Sequence, residues 1–307
     1  MRMKKSGFWR SRIESRMNAM GKQATLKASP IFPLIVLMIA CALLVTPATA
    51  SSALRVTFID VGQGDCALVT CGNETMLVDT GPVGAWRHIA EAVGEEIEID
   101  CLVLTHPHLD HIGNAARIIE RNSVGRVMLP PVEYGTKAYA ATMAAIDEAN
   151  IECIYPAVGD VFHIGEAEVT VYGPHPVAYP EANDWSIVLM IEYAGRSILL
   201  TGDAEAAAEA DMLAYNDVLP LRADVLKVAH HGSDTSSTFD FISAVAPRYA
   251  VVSCDSTEDR SYPSVETAMT PYECGVEDVF TTEVCGDVTI VITKSGTIHV
   301  TVNERDG

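Results

Sequence analysis

The feature that most constrains this chain is a run of metal-binding side chains at the end of a short strand. Cys101-Leu102-Val103-Leu104-Thr105 predicts a buried strand, and His106-Pro107-His108-Leu109-Asp110-His111 follows it directly. Imidazole nitrogens and a carboxylate suit Zn²⁺, with Mn²⁺ or Fe²⁺ as alternatives. A loop between a strand and a helix can direct all four side chains into one cavity. The alternative interpretation is a solvent-exposed, histidine-rich loop.

Three further acidic or histidine positions also follow apolar strands. Asp79 ends Leu77-Val78-Asp79, Asp203 follows Leu199-Leu200-Thr201-Gly202, and His230-His231 follows Leu226-Lys227-Val228-Ala229. A lone Asp after a strand is usually a turn or cap residue, and a lone His is usually a core or surface residue. Because every member of this set precedes a glycine or a helix, we expect them to share one metal centre with the His106 run.

The pattern of strands and helices predicts two similar halves. An antiparallel meander is expected at 54–60, 67–71 and 75–79, with helices at 86–93 and from about His111 to Arg121. Further strands are expected at 126–129, 152–155, 167–172, 186–193, 197–201, 223–228, 249–253 and in three terminal stretches. Further helices are expected at 204–215, 238–245 and 264–273. Two sheets packed face to face between helical layers satisfy this order.

The first fifty residues have the composition of a targeting segment. Eight Lys or Arg residues precede an apolar run from Ile31 to Val45, and Ala48-Thr49-Ala50 follows. This pattern predicts either a signal peptide cleaved after Ala50 or an uncleaved N-terminal signal anchor. Either form places the body outside the cytoplasm, with membrane contact through this segment alone. We therefore expect a 1–50 targeting segment and a single 51–307 domain, since no Pro/Gly/Ser linker divides the body.

Eight cysteines are present, and none shows the spacing of a cysteine zinc site. An exported protein can form disulfides, and Cys274 with Cys285 is a candidate pair. The alternative is that most of the cysteines are small buried core residues.

The body of the chain is strongly acidic, with 13 basic and 40 acidic residues after position 50. This charge repels phosphate backbones, so long nucleic acid is disfavoured as a partner without being excluded. Bound metal cations can reverse the local field. A small phosphorylated or ester substrate is therefore compatible with the composition.

Together these residues resemble the metallo-β-lactamase superfamily, and within it the hydrolase domain of ComEC-type competence (DNA-uptake) proteins and their secreted stand-alone relatives. The resemblance covers about residues 54–302 and implies an α/β protein with a four-layer αβ/βα sandwich, the metallo-β-lactamase fold. The Val-Gly-Gln-Gly-Asp and His-His-Gly-Ser motifs favour this branch over antibiotic-degrading lactamases. The motifs that carry the resemblance are Phe58 to Asp65, the Asp79 strand, the His106 run, Leu200 to Asp203, and Lys227 to Ser233.

The resemblance implies a site for two divalent metal ions. His106 and His108 would bind the first ion, and Asp203 would bridge the two. The second ion would be bound by Asp110, His111 and one of His230 and His231. His231 is the favoured ligand, with His230 placed for substrate oxygens.

Other residues are implied to support the site. Asp79 would hydrogen-bond a ligand and orient it. Ser233 and the N–H groups after Gly232 can hold a substrate oxygen, and Lys227 lies in the same motif, behind the ligands or near the substrate. The catalytic assignments fall on Asp110, His230 and Asp203, the two carboxylates being ligands first and proton carriers second.

The sequence departs from the family pattern in two places. Many members have a third histidine for the first metal where this chain reads Asn183-Asp184, so either residue can supply an oxygen there or simply lie in a loop. Relatives often have Gly-His-Pro where this chain has Ser261-Tyr262-Pro263, which puts Tyr262 at a substrate-recognition position.

Three hypotheses for function follow. The first is an exported metal-dependent phosphodiesterase or nuclease that uses a water activated by two metals. The second keeps the site but hydrolyses a carbon ester, lactone or amide. The third is a non-catalytic competence-type accessory or binding protein whose metal is structural.

Overall fold

The computed structural model describes residues 53–94, 97–257 and 262–303. The predicted targeting segment over 1–50 lies outside the described residues. Within the part that is described, no helix has the length and apolar character needed to cross a membrane.

The described residues form short strands connected by helices and loops. The strands, in chain order, are β1 Leu54–Phe58, β2 Ala67–Cys71, β3 Glu74–Val78, β4 Glu98–Ile99, β5 Cys101–Val103, β6 Ser123–Val124, β7 Arg126–Met128, β8 Glu152–Ile154, β9 Val161–Ile164, β10 Ala167–Gly173, β11 Val188–Tyr193, β12 Arg196–Leu200, β13 Val225–Lys227, β14 Tyr249–Val252, β15 Asp278–Thr281, β16 Asp287–Ile292 and β17 Ile298–Asn303. The α-helices are α1 Trp86–Val93, α2 Leu109–Ile112, α3 Ala115–Arg121, α4 Lys137–Glu148, α5 Ala206–Ala214, α6 Phe239–Val245, α7 Val265–Glu273 and α8 Thr282–Cys285.

Two mixed sheets contain nearly all of these strands. The first sheet has the order β17-β16-β1-β2-β3-β5-β7-β8 and is antiparallel as far as β3, then parallel from β3 to β8. The second has the order β15-β14-β13-β12-β11-β10-β9 and is parallel from β12 to β15. Parallel strands end at the same edge of a sheet, so the loops after them come close together.

Three hydrophobic cores hold the layers together. One lies between the sheets and includes Phe58 from the first and Ile198 from the second. The other two cover the outer faces, where Ile118 of α3 packs on the first sheet and Phe241 of α6 on the second. Helices outside and sheets inside make the four-layer αβ/βα sandwich that the sequence predicted.

The element predictions differ from the structure in two instructive places. Helix α4 was not predicted, and the single helix expected from about His111 to Arg121 is two helices, α2 and α3. The break falls at Gly113, where an added Cβ would lie 2.6 Å from the Leu109 carbonyl oxygen and 2.7 Å from that of Gly81. The Gly81 loop therefore packs directly against the backbone just after the metal-binding run, where a side chain would not fit.

The disulfide suggested for Cys274 and Cys285 is wrong in this structure, because all seven described cysteines are free thiols. Cys274 follows α7, with its Sγ 3.4 Å from the Ser243 hydroxyl. Cys285 ends α8 and packs against the core between the sheets. Most of the others are buried, as the alternative interpretation expected: Cys66, Cys71, Cys101 and Cys254.

We expect these buried thiols to resist alkylation in the native protein. Burial raises the pKa of the Cys66 and Cys101 thiols, and raises that of Cys254 to about 12, and the thiolate is the reactive form. Iodoacetamide labelling followed by peptide mass spectrometry should modify Cys274 and Cys285 first. The buried thiols should react only after guanidinium unfolding, and rapid native labelling of Cys254 would contradict this.

Candidate metal centre

The predicted ligands come from loops at one edge of the two sheets. Asp79 follows β3 and the His106 run follows β5 in the first sheet, while Asp203 follows β12 and His231 follows β13 in the second. Each loop starts where a buried strand ends, so the positions of the side chains are fixed by the cores on both sides. The structure therefore brings together residues that are widely separated in the chain.

Four of these side chains form a compact group. Ligand atoms of Asp110, His111, Asp203 and His231 all lie within 4.8 Å of one another. Asp203 is central, with its Oδ2 lying 3.1 Å from His111 Nε2 and 3.4 Å from His231 Nε2. Both histidines and Asp203 are buried, whereas the Asp110 side chain is 35% exposed.

Hydrogen bonds behind the group fix which ring nitrogen faces inward. His111 Nδ1 lies 2.8 Å from Asp79 Oδ2, and His231 Nδ1 lies 3.0 Å from the Ser253 carbonyl oxygen. Both oxygens accept, so each Nδ1 carries a proton and each Nε2 faces Asp203. Each Nε2 is protonated beside the carboxylate and becomes a lone-pair donor when a cation displaces that proton. Asp79 thus contacts His111 in the way the resemblance implied.

A second pair of nitrogens lies beside this group. His106 Nε2 lies 3.0 Å from His108 Nδ1 and 3.7 Å from Asp203 Oδ2. The other His108 nitrogen, Nε2, lies 3.1 Å from the Tyr134 hydroxyl, which orients the ring. Asp203 therefore lies between two sets of nitrogen donors, the arrangement that a shared ligand of two cations requires.

A buried ion pair lies underneath the ligands. The Lys227 ammonium group contacts the Asp65 carboxylate, donates to the Gly202 carbonyl oxygen at 3.0 Å and lies 3.8 Å from Asp203 Oδ1. Lys227 is only 3% exposed. The sequence left open whether Lys227 lies behind the ligands or near the substrate. Its burial behind the cluster supports the first position.

Gly64 allows the Asp65 loop to approach the metal-binding run. Its φ is +147°, and an added Cβ would lie 2.5 Å from the Asp110 carbonyl oxygen. This close approach allows the backbone N–H of the next residue, Asp65, to donate to the Asp110 carbonyl oxygen at 3.2 Å. A side chain at Gly64 would therefore separate the two loops.

The electrostatics of the group are dominated by its carboxylates. Burial lowers the pKa of His111 and His231, but Asp203 and the other carboxylates beside them outweigh it and raise both pKa values well above the usual range. Burial raises the pKa of Asp65, but the neighbouring Lys227 and His231 outweigh burial and lower this pKa to about 2. A divalent cation must displace the histidine protons, so its affinity should fall as the pH falls.

The rim of the site is formed by residues assigned to substrate recognition. His230 does not face Asp203; its Nδ1 lies 3.1 Å from Glu205 Oε1, and the Tyr262 hydroxyl is 3.4 Å from its Nε2. The Asn183 amide nitrogen lies 3.4 Å from the same ring. The Ser233 hydroxyl is held 2.9 Å from that of Thr235.

The structure does not place Asp184 in the group of clustered ligand atoms. Its Oδ1 accepts from the backbone N–H groups of Glu205 and Ala208, at 3.0 and 3.1 Å, and so caps the start of α5. A carboxylate at a helix N-terminus satisfies N–H groups that have no partner within the helix. Asp184 therefore has the loop role that the sequence left open as its alternative.

His230 and His231 adopt unusual backbone conformations. Their φ values are 48° and 52°, and that of Asp79 is 60°. Such left-handed conformations cost roughly 1–3 kcal/mol for residues other than glycine, and they cluster at functional sites. In this turn the His231 ring lies inward against Asp203, and the His230 ring lies at the rim beside Glu205.

Sequence reasoning did not assign a role to three residues that the structure places in the centre. These are Asp65, Thr105 and Tyr134. The Thr105 hydroxyl donates to Asp79 Oδ2 at 2.7 Å, so it fixes the carboxylate that fixes His111. Asp65 ends the Phe58 to Asp65 motif, but nothing in the local sequence indicated that its partner is a buried lysine.

We expect Asp79→Asn to lower the affinity for a divalent cation by about 10- to 100-fold, because the amide holds His111 less firmly than the carboxylate does. Competition against a chelating dye in the full chain measures this. The matched control is Asp147→Asn, at an exposed position on α4, which should leave the affinity unchanged. Equal affinities for the two variants would show that Asp79 does not orient a ligand.

The chain belongs to the metallo-β-lactamase superfamily, whose family model matches residues 59–256. Members of this superfamily are mostly metal-dependent hydrolases, and the fold typically binds two divalent metals. The residues present fit such ions, because the buried atoms Asp203 Oδ1 and His231 Nε2 have no hydrogen-bond partner among the described residues. His106, His108 and Asp203 would hold one ion, and Asp110, His111, His231 and Asp203 the other.

Within the superfamily, the curated relatives of this chain include competence-type proteins. It is 30% identical over 234 residues to ComE operon protein 3 of Bacillus subtilis, covering 69% of this chain and 30% of that protein. It is 29% identical over 215 residues to competence protein ComA of Neisseria gonorrhoeae, covering 68% of this chain and 28% of that protein. The chain thus spans less than a third of the length of these curated relatives.

Among solved structures, the fold is similar to that of Tm1679, described as a metal-dependent hydrolase of the β-lactamase superfamily. The TM-score is 0.51 at 12% identity, and the match covers 81% of this chain and all of Tm1679. At this identity the similarity shows the fold alone.

Proposed function

We propose that the chain is an exported metal-dependent phosphodiesterase of the nuclease type that acts on small substrates. The observation that carries the proposal is the meeting of two sets of imidazole nitrogens on one buried carboxylate, Asp203. Two divalent cations, Zn²⁺ or Mn²⁺, would supply an activated water and charge stabilisation for the phosphoryl oxygens. The Ser233 hydroxyl is engaged by Thr235, which favours water over a side chain as the nucleophile.

The protein side chains have separate tasks in this proposal. Asp110 is the half-exposed carboxylate of the group, so it is the residue that passes a proton between the site and solvent. His230 and Tyr262 form the rim and hold the substrate's non-bridging oxygens. Lys227 and Asp79 touch no substrate and keep the ligands in position.

Charge restricts the substrate to one whose phosphate lies directly at the cations. Four carboxylates and one ammonium group lie in or behind the cluster: Asp65, Asp79, Asp110, Asp203 and Lys227. With neutral histidines their sum is about −3, and two divalent cations bring it to about +1. The rest of the body stays strongly acidic, so a phosphate held elsewhere would be repelled. Cations should thus be needed for substrate binding as well as for hydrolysis.

The test is turnover by the full chain of bis-p-nitrophenyl phosphate and of short single-stranded DNA with Zn²⁺ or Mn²⁺. We expect turnover that EDTA abolishes and that His108→Ala greatly reduces. The matched control is His163→Ala, an exposed histidine on β9 that pairs with Glu168 away from the centre. If a lactone, thioester or amide panel is hydrolysed and neither phosphodiester is, the carbon-ester alternative replaces this proposal.

Export is supported by the basic, apolar and Ala-x-Ala pattern of residues 1–50. Fractionation of cells expressing the full chain tests it. We expect the body in the extracytoplasmic or membrane fraction, and removal of residues 1–50 should retain it in the cytoplasm. Equal retention of both forms would refute export.

A second candidate is a non-catalytic accessory protein, and the observation that favours it is the sparse first ligand set. Asp184 caps α5, so besides His106, His108 and Asp203 only the Asn183 amide oxygen, which is buried and has no hydrogen-bond partner among the described residues, is left as a donor for that ion. Metal analysis separates the two functions. About two equivalents of bound metal favour the enzyme, and one tightly bound ion that is lost only on unfolding favours the accessory role.

A further inference from the structure

A groove without charged side chains lies beside the candidate metal centre. It has a volume of about 630 Å³ and is formed by loops after β7, β8 and β10 together with Trp185 and Tyr215. Its lining residues are aromatic rings, prolines and small apolar side chains, with no Asp, Glu, Lys or Arg among them. In a body with 40 acidic residues, a surface of this size without charge is distinctive.

The groove presents flat rings to solvent. Tyr155 is 53% exposed and Tyr215 is 47% exposed. The His175 ring packs on Tyr215 with 4.6 Å between ring centroids. Trp185 is held in place because its indole N–H donates to the Tyr179 carbonyl oxygen at 3.1 Å. Two tyrosine rings are therefore exposed beside a tryptophan that is held in place, which suits the stacking of a planar group.

One lining residue has a polar atom that the protein does not satisfy. His175 is 4% exposed, and its Nε2 has no hydrogen-bond partner among the described residues. A buried polar atom without a partner costs roughly 1–3 kcal/mol, so native proteins usually provide one. A ligand with hydrogen-bonding edges that displaces the neighbouring side chains slightly can supply it.

The groove lies at the same edge of the two sheets as the metal centre, because β7 and β8 are parallel to β5 and β10 runs in the same direction as β12. Two chain segments also run from the groove to residues at the centre. Trp185 lies in the same helical turn as Asn183, whose amide nitrogen is 3.4 Å from the His230 ring. Pro131 lies in the same loop as Tyr134, whose hydroxyl is 3.1 Å from His108 Nε2. A substrate with its phosphate at the cations can therefore extend a neighbouring group into the groove.

We propose that this groove binds the nucleobase of a nucleotide substrate whose phosphodiester lies at the metal centre. Stacking of bases on aromatic side chains is tolerant of sequence and needs no positive charge. A planar, uncharged base with polar edges fits the exposed rings, the absence of charge and the unsatisfied His175 nitrogen. This inference rests on the proposed phosphodiesterase function and names the substrate class, a short nucleotide-containing phosphodiester.

Two substrates with the same scissile bond test the inference. The p-nitrophenyl ester of thymidine 5′-phosphate carries a base, and methyl p-nitrophenyl phosphate does not. We expect Tyr155→Ala and Tyr215→Ala to raise the KM of the thymidine ester by about 5- to 100-fold, as for the loss of one stacking contact. The KM of the methyl ester should change by less than about twofold. Equal effects on both substrates, or none on either, would overturn the inference.

The matched control is Tyr272→Ala, which removes a 51% exposed tyrosine on α7 that does not line the groove. It should leave both KM values unchanged. An increase for the thymidine ester equal to that of the groove variants would assign the effect to tyrosine loss in general and reject the groove.

A binding measurement separates failure of the groove from failure of the proposed function. The full chain has three tryptophans, so Trp9→Phe with Trp86→Phe leaves Trp185 as the reporter. Thymidine and adenosine should quench its fluorescence saturably, and Tyr215→Ala should weaken the quenching. Quenching without any phosphodiester turnover keeps the groove and rejects the enzyme. No saturable quenching by either nucleoside, or quenching by a proline-rich peptide instead, rejects the groove.

Discussion

Replacing Lys227 by Met is expected to lower the free energy of unfolding by about 3–5 kcal/mol, because it breaks a buried ion pair. The ammonium group is buried against Asp65, Asp203 and the Gly202 carbonyl oxygen. Its removal leaves two buried carboxylates without their fixed counter-charge. Urea denaturation of the full chain measures the loss.

Two further variants define what the Lys227 result means. Lys137→Met, at the exposed first position of α4, should change the free energy of unfolding by no more than about 0.5 kcal/mol. Adding Asp65→Asn to Lys227→Met should recover part of the loss, since it removes one of the unpaired charges. A Lys227→Met protein within about 1 kcal/mol of the parent would show that the buried pair contributes little.

Asp203→Ala is expected to reduce cation binding by at least about 100-fold, because even residues that only orient a ligand cost about 10- to 100-fold. Its Oδ2 lies within 4 Å of three imidazoles, those of His106, His111 and His231. If Asp203 bridges two ions, both would lose a ligand when it is removed. Elemental analysis after dialysis measures the metal content, and turnover of bis-p-nitrophenyl phosphate should fall by a similar factor.

The control for Asp203 is Asp217→Ala, an exposed carboxylate beyond the end of α5. It should keep the full metal content and rate. Circular dichroism of the Asp203 variant checks that its fold is retained. Unchanged metal content in a folded Asp203→Ala protein would remove the bridging role and, with it, the two-cation arrangement.

The sequence predicted the elements around the site well because their signals are short-range. Helix α1 has the predicted bounds, 86–93, and each predicted ligand follows a strand with a clear apolar pattern. The parallel order of β12, β13 and β14 then brings separate strand ends to one edge. These ligands meet where the pattern indicated, while their roles on a metal stay predictions.

Helix α4 could not be predicted because its apolar periodicity is weak. Its sequence is rich in alanine, and its buried positions are Thr142, Ala145 and Ile146. Alanine favours a helix but does not mark which face is buried. The N-terminal cap, Thr136 accepting from the Tyr139 N–H at 3.2 Å, was a weak signal on its own.

Contacts between residues far apart in the chain also could not be predicted from the sequence. The partner of Lys227 is Asp65, from the other half of the chain, and no local pattern connects them. Asp184 likewise has a capping role that depends on where α5 begins in space. Carboxylates are compatible with metals, helix ends and ammonium groups alike, so their role is decided by the tertiary neighbours.

The donor atoms of the centre come from both sheets, which are otherwise joined mainly by side chains packed in the core between them. An ion bound by His111 of one half and His231 of the other therefore cross-links the two halves, as a covalent bridge would. Amide hydrogens in the loops after β5 and β13 should exchange more slowly when metal is added, and those in the outer helix α4 should not. Binding of the ion during folding would then determine when the two sheets become held together at this edge.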